Sequence, residues 1–243
     1  MANQSTSPVG ATSVDLQSAK FSPDFRRRIL APLGRALAPR LLGPSQRMRA
    51  SQFAILELAP QQIVFFGDSI TELGLWQEWF TGAPVLNRGI GGETTADLLR
   101  RLDSAINHPT AVFLLIGAND LSVGIPLQQI VANVRALLDE IERRAPGTPV
   151  FVQSVMPRNA RYRDDLRRLS AAYRALVASA PRHIEYLDLW PALADEEGAL
   201  RHNYTADNLH LTGEGYAAWV RVLRPHVERA LTHAARRAEG ESL

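Results

Sequence analysis

The feature that most constrains the fold is a series of short apolar runs separated by segments of helical character. Five such runs follow Pro60, and the first and third end at Gly67 and Gly117. They cover residues 63–66, 84–86, 111–116, 149–155 and 184–189. Short runs that are apolar throughout are typical of strands buried on both faces of a parallel sheet.

The segments between and after these runs have helical patterns. They are residues 73–80, 94–102, 126–144, 164–178 and 212–235. Thr94 or Thr95 is the expected N-cap of the second helix, with Asp97 in its first turn. Strands that alternate with helices require crossover connections. The sequence therefore predicts an α/β fold: a three-layer α/β/α sandwich around a mostly parallel five-stranded sheet.

The N-terminal quarter has a different composition. Residues 1–20 are rich in Ser, Thr and Gln and are predicted to be disordered. Residues 21–59 are rich in Arg, Leu, Ala and Pro, which predicts an arm of short helices broken by Pro32, Pro39 and Pro44. We expect this arm to pack on its own domain or on a second subunit of a homo-oligomer. The alternative is a basic helix lying on an anionic membrane.

The rest of the chain divides into a domain at 60–235 and a C-terminal tail at 236–243. The chain has no cysteine, which excludes disulfides, thiolate metal sites and a cysteine nucleophile. Its net charge is only +2, and the sequence has no basic stripe interleaved with aromatic residues. No nucleic-acid partner is therefore expected. A secretory signal and a long apolar span are both missing, which predicts a cytoplasmic protein.

Four polar clusters fall at, or just beyond, the ends of predicted strands. They are residues 67–70, 89–94, 117–120 and 207–210. In parallel α/β sheets the functional residues gather at the carboxyl ends of the strands. The four clusters together therefore predict one site.

Ser69 is the candidate nucleophile of that site. A serine hydroxyl needs an adjacent base, and His210 is the best candidate because Asp207 lies three residues before it. A carboxylate at that spacing can orient the imidazole ring. His202 is the reserve candidate for the base. The alternative interpretation of Ser69 is an N-cap of the following helix.

Glycine and asparagine supply the other groups that acyl transfer requires. Gly91-Gly92 offers bare backbone N–H groups, and Asn119 offers a neutral amide that does not repel an oxyanion. Asp68 and Asp120 are expected to support the site by hydrogen bonds to loop backbone, and a metal-binding role for them is the weaker interpretation. No cofactor is expected, since neither the dinucleotide pattern G-x-G-x-x-G nor a phosphate-binding loop is present.

The order of these blocks resembles the SGNH hydrolases, also called GDSL-type esterases and lipases. The matching blocks are Gly67-Asp68-Ser69-Ile70, Asn87-Arg-Gly-Ile-Gly-Gly92, Gly117-Ala-Asn119-Asp120 and Asp207-Asn-Leu-His210. Ile70 stands where the family motif has leucine. The second block and the overall length are most similar to the compact branch that contains platelet-activating-factor acetylhydrolase catalytic subunits.

The resemblance implies a flavodoxin-like SGNH fold and a serine esterase. Ser69 would be the nucleophile, His210 the base and Asp207 its orienting acid. The backbone N–H groups of Ser69 and Gly92 and the Asn119 amide would bind the oxyanion.

The substrate is expected to be a small-molecule, carbohydrate or lipid ester. No long hydrophobic lid is visible, which favours acetyl and other short acyl groups. An acyltransferase with the same triad, a lysophospholipase or a thioesterase remain alternatives. A non-catalytic binding module is disfavoured because all three triad residues are present.

Overall fold

The structure is a computed structural model that describes residues 43–240, with side chains through residue 236. Its five strands are β1 (Ile63–Gly67), β2 (Val85–Gly89), β3 (Ala111–Leu115), β4 (Val150–Gln153) and β5 (Ile184–Leu187). Its helices are α1 (Gly43–Ile55), α2 (Ser69–Glu72), α3 (Trp76–Trp79), α4 (Thr95–Arg100), α5 (Ala118–Ser122), α6 (Leu127–Arg144), α7 (Arg163–Ala178), α8 (Trp190–Leu193) and α9 (Gly213–Gly240).

The strands form one sheet in the order β2-β1-β3-β4-β5, and every pair is parallel. The chain moves from β1 outward to β2 and then returns to the other side of β1 for β3. Crevices that open at such a reversal of strand order are the usual binding places of open α/β sheets. The fold thus confirms the predicted α/β class and its five-stranded parallel sheet.

Each face of the sheet carries its own hydrophobic core. Because side chains alternate along a strand, Val64 and Phe66 face one core, while Ile63 and Phe65 face the other. The first core is closed by α4, α6 and α7, and the second by α3, α8 and α9. The Phe65 ring stacks on Trp76 with 4.0 Å between ring centroids. The three-layer arrangement buries both faces of the central strands.

Most predicted element boundaries differ from the observed ones by one to a few residues. The largest difference is the helix predicted at 73–80, of which only Trp76–Trp79 is helical, as α3, whereas the preceding helix α2 ends at Glu72. The Trp76 indole N–H donates to the carbonyl of Thr71 at 2.9 Å, so the side chain occupies an acceptor that a continuous helix would use. The last helix also continues past the predicted end at 235.

Helix α1 covers the part of the N-terminal arm that the structure describes. Pro44 lies in the first described turn of α1, where its missing N–H is not needed. The predicted break at Pro44 stays a prediction, because the residues before Gly43 lie outside the described part of the chain. The predicted tail at 1–20 and the predicted breaks at Pro32 and Pro39 lie outside the described residues. None of the helices within 43–240 has a stretch long and apolar enough to cross a membrane.

Candidate active site

Ser69 lies where β1 ends, as the first residue of α2. The residue that caps this helix is Asp68, whose carboxylate accepts the backbone N–H of Ile70 at 3.1 Å. The alternative interpretation of Ser69 as the N-cap is therefore wrong. With the capping supplied by Asp68, the Ser69 hydroxyl is left to face the crevice.

Two glycines let α2 lie this close to the sheet. A Cβ on Gly67 would approach the carbonyl oxygen of Leu115 and the hydroxyl of Thr71 to 2.3 Å. A Cβ on Gly89 would approach the backbone nitrogen of Glu72 to 2.2 Å. All of these distances are shorter than a non-bonded contact of a carbon atom can be. Glycine at the ends of β1 and β2 thus fixes the position of the turn that carries Ser69.

The structure brings His210 and Asp207 to Ser69 from a distant part of the chain. The Ser69 Oγ lies 2.9 Å from His210 Nε2, and His210 Nδ1 lies 2.6 Å from Asp207 Oδ2. An ionised carboxylate can only accept, so Nδ1 carries the ring proton and Nε2 accepts from the Ser69 hydroxyl. Asn208, between the acid and the base, has a positive φ of 63°, a conformation that asparagine tolerates better than most residues.

Asp207 is held as an anion by its hydrogen bonds. Partial burial acts to raise the pKa of this carboxyl, but the ring and backbone N–H groups of His210 and the N–H of Leu209 outweigh that effect. Together they lower the pKa of Asp207 to about 2. The carboxylate is therefore ionised throughout the neutral pH range and can stabilise a protonated imidazole.

The Gly91-Gly92 segment lies beside Ser69. The N–H of Gly91 donates to Glu72 Oε2 at 2.7 Å, so Gly92 is the member of the pair that can donate to a substrate. Gly92 has a φ of +77°, a conformation that favours glycine. Ser69, Gly92, Asn119 and His210 line one cavity of about 320 Å³.

The Asn119 side chain is oriented by two acceptors. Its Nδ2 donates to the carbonyl of Glu93 at 2.9 Å and, over a longer 3.4 Å, to Asp68 Oδ2. The short bond fixes the orientation of the amide. The long bond is weak, so the second N–H can give it up for a better acceptor placed nearby.

Asp68 and Asp120 are buried beneath the site. Burial raises the pKa of Asp68 to about 7; the N–H of Ile70 and the charges of His210 and Arg158 oppose that rise, and the charge of Asp120 adds to it. Burial also raises the pKa of Asp120, which accepts the backbone N–H and the hydroxyl of Thr95 at the start of α4. Asp120 thus links the third polar block to the loop that contains Gly92.

Two polar residues that the sequence patterns did not predict hold the glycine segment. Glu72 accepts from Gly91, and Gln46 of α1 donates from Nε2 to the carbonyl of Gly91 at 3.0 Å. Glu72 lies three residues after Ser69, on the same face of the short helix, and this spacing is a signal that the sequence contained. Gln46 has no such signal, because it lies in the arm that the motif-bearing blocks do not include.

Other residues that the sequence singled out lie around the site or in the core. His202 has an exposed side chain in a short 3-10 turn, whereas His210 contacts Ser69. Trp76 and Phe80 are buried in the core, and Trp79 is partly buried against it. Arg158 donates to the Ser122 hydroxyl at 2.8 Å and stacks on Tyr162.

Comparisons with known proteins show the family to which the chain is similar. The profile of the GDSL-like Lipase/Acylhydrolase family matches residues 65–218. The platelet-activating factor acetylhydrolase IB subunit alpha1 of Bos taurus is 32% identical over 181 residues, which are 70% of this chain and 77% of the relative. The alpha1 subunit of Homo sapiens is 31% identical over 180 residues, with 70% and 77% covered.

A solved structure shows the same similarity in three dimensions. A protein described as a platelet activating factor from Streptococcus pneumonia superposes with a TM-score of 0.74 at 28% identity, covering 81% of this chain and 99% of that one. The family profile spans more than half of the chain, and all four polar blocks lie within it. The chain belongs to the GDSL-like lipase/acylhydrolase family, the SGNH hydrolases, and is an esterase or acylhydrolase of that family.

Proposed function

We propose that the protein is a serine esterase that hydrolyses short-chain carboxylic esters, acetyl esters above all, through Ser69, His210 and Asp207. The observation that carries the proposal is the unbroken hydrogen-bonded chain from Ser69 through His210 to Asp207, with distances of 2.9 and 2.6 Å. A serine hydroxyl bonded to an imidazole that a carboxylate orients has the arrangement that nucleophilic acyl transfer requires.

The first half of the reaction forms an acyl-enzyme. The Ser69 Oγ attacks the ester carbonyl carbon while His210 Nε2 takes the hydroxyl proton. The tetrahedral intermediate then collapses, the bond to the alcohol oxygen breaks, and that oxygen receives the proton from His210. Asp207 stays ionised and stabilises the imidazolium that exists between these two transfers.

The second half repeats the sequence with water. His210 takes a proton from the water as its oxygen attacks the acyl carbon of the acyl-enzyme. Collapse of the second tetrahedral intermediate breaks the bond to Ser69, whose oxygen takes the proton back from His210. The products are the carboxylic acid and a regenerated serine.

The negative charge on each intermediate falls on the former carbonyl oxygen. Three donors border the place where that oxygen would lie: the backbone N–H groups of Ser69 and Gly92 and the amide of Asn119. Fixed neutral donors of this kind stabilise an oxyanion without reorganising during the reaction. Asp68 and Asp120 assist by holding the loops that carry these donors.

The size of the cavity supports a short acyl group. Its volume of about 320 Å³ lies at the lower end of the range for ligand pockets and must hold the reacting ester as well as the acyl chain. The curated relatives are named acetylhydrolases, which is the activity that we extend to this chain.

The test is a series of p-nitrophenyl esters from acetate to decanoate with wild type, Ser69→Ala and a matched control, Ser51→Ala. Ser51 lies on the exposed side of α1, with its hydroxyl bonded to the Met48 carbonyl. We expect wild type and Ser51→Ala to prefer acetate and to react with a fluorophosphonate, whereas Ser69→Ala loses both properties. Near-normal hydrolysis by Ser69→Ala would refute the proposal, and ester products formed with added alcohol would indicate acyl transfer.

A further inference from the structure

We propose that Gln46 closes the acyl side of the catalytic cavity and thereby limits the length of acyl chain that the enzyme accepts. The inference rests on the esterase function proposed above and adds a specificity residue to it. Gln46 belongs to α1, which lies outside the region matched by the family profile.

Two cavities meet at this residue. The catalytic cavity of about 320 Å³ contains Ser69 and His210, and a larger groove of about 790 Å³ runs beside it. Among the residues that the structure describes, only Gln46 and Gly92 line both. Gly92 has no side chain, so the Gln46 side chain is the one that divides the two spaces.

The Gln46 side chain is fixed in this position. Its Nε2 donates to the Gly91 carbonyl at 3.0 Å. Gly91 is itself held in place, because its backbone N–H donates to Glu72. Arg49, one turn further along α1, pairs with Glu72 at 3.6 Å. The partition is therefore part of a hydrogen-bonded unit and is not a loose surface side chain.

The course of the reaction identifies which part of the substrate faces the partition. The leaving alcohol oxygen must receive its proton from His210, so the alcohol lies on the His210 side. The carbonyl oxygen points to Ser69 N–H, Gly92 and Asn119, which leaves the acyl chain to extend away from His210. The larger groove is lined by Gly92 and Gln46 and does not include His210 among its lining residues.

The lining of the larger groove suits an aliphatic chain. Its apolar part is formed by Ala50, Val123, Ile125 and Pro126, and the rest of the lining includes the charged residues Arg47, Glu93, Asp97, Arg100 and Arg101. Apolar burial there would contribute binding energy for every methylene that enters. In wild type the Gln46 side chain bars that path, which agrees with a preference for short acyl groups.

The test compares Gln46→Ala, which removes the partition, with Gln46→Met, which keeps a side chain of similar length but loses the hydrogen bond. The readout is kcat/KM for p-nitrophenyl acetate and octanoate. We expect Gln46→Ala to raise the octanoate-to-acetate ratio by about tenfold or more, the gain expected when about two further methylene groups are buried. Gln46→Met should keep the wild-type ratio even if both rates fall.

A second variant tests the groove itself. Ala50→Phe fills the groove, so in the Gln46→Ala background it should return the ratio toward the wild-type value. Two results would overturn the inference and leave Gln46 as a positioning residue only. One is an equal loss of kcat/KM with both esters in Gln46→Ala. The other is that Gln46→Met changes the octanoate-to-acetate ratio as much as Gln46→Ala does. Failure of the esterase proposal is distinguishable, because it shows as activity in Ser69→Ala or as no fluorophosphonate labelling of wild type.

Discussion

At the scale of single residues, the site depends on which hydrogen bonds each polar group already makes. Asn119 donates one amide N–H to the Glu93 carbonyl at 2.9 Å. Its other N–H makes only a long contact of 3.4 Å to Asp68. Exchanging a weak bond for a strong one to an oxyanion lowers the energy of the transition state more than that of the ground state. This difference is what accelerates a reaction.

We expect Asn119→Ala to lower kcat for p-nitrophenyl acetate by about a hundredfold or more, equivalent to about 3 kcal/mol of transition-state stabilisation. KM should change little, because the ground-state carbonyl is not yet charged. The matched control is Asn107→Ala, which removes an exposed asparagine whose amide bonds the Leu58 carbonyl. An unchanged kcat in Asn119→Ala would remove this residue from the oxyanion site.

Asp68 makes the stability of the protein depend on pH. The folded-state pKa is about 7, against an ordinary value of 3.8, because the carboxyl is buried. Between these two values the folded protein keeps a proton that the unfolded chain has released, so the free energy of unfolding falls as pH rises.

Asp68→Asn keeps an oxygen that can accept from Ile70 but cannot ionise. We therefore expect wild type to lose stability relative to Asp68→Asn as pH rises from 3.8 to about 7, with a constant difference above that range. Urea unfolding at several pH values measures this difference, and the contributions of Glu93 and Asp120 cancel because both proteins contain them. A difference that stays constant from pH 4 to 7 would contradict the prediction.

At the scale of elements, the position of Ser69 follows from the close packing of α2 on two strands. The absence of side chains on Gly67 and Gly89 permits this approach. We expect Gly89→Ala to destabilise the protein by about 3 kcal/mol, since the added carbon meets backbone that cannot move freely. Gly213→Ala is the control, because a Cβ at that helix start meets open space.

The effect of Gly89→Ala is measured in two ways: the free energy of unfolding in urea, and kcat. Displacement of α2 moves the nucleophile as well as lowering stability, so activity should fall in molecules that are still folded. If Gly89→Ala kept wild-type activity and stability, the end of β2 would have space for a Cβ, contrary to the close contact with α2 seen in the structure.

The elements also explain how far the sequence alone could lead. The apolar runs predicted all five strands, and the polar clusters predicted that Ser69, Asp207 and His210 would meet. Strand ends place Ser69 and Asn119 on one edge of the sheet, whereas residues 207–210 reach that edge from a loop after a 3-10 turn, about twenty residues beyond β5. The split between α2 and α3 was missed because it depends on a local bond from a side chain to the backbone, from the Trp76 indole N–H to the Thr71 carbonyl. Periodicity carries no information about such contacts.

At the scale of the whole molecule, helix α1 connects the edge of the sheet to the catalytic cavity. Phe53 of α1 is 5% exposed, with the guanidinium of Arg88 at 4.4 Å from its ring centroid and that of Arg101 at 5.9 Å. Arg101 in turn pairs with Glu93 at 2.6 Å, next to the loop that contains Gly92. The helix that supplies Gln46 is thus held by a side chain seven residues further along.

Phe53→Ala tests this connection across the molecule. Loss of a buried aromatic side chain should lower the free energy of unfolding by about 3 kcal/mol. Ile55→Ala, on the same helix but 83% exposed, should cost little and serves as the control. Because Gln46 is held through α1, we expect Phe53→Ala also to relax the chain-length preference, raising the octanoate-to-acetate ratio of kcat/KM under conditions where the protein stays folded. A large loss of stability with an unchanged ratio would mean that Phe53 anchors the helix without fixing the partition.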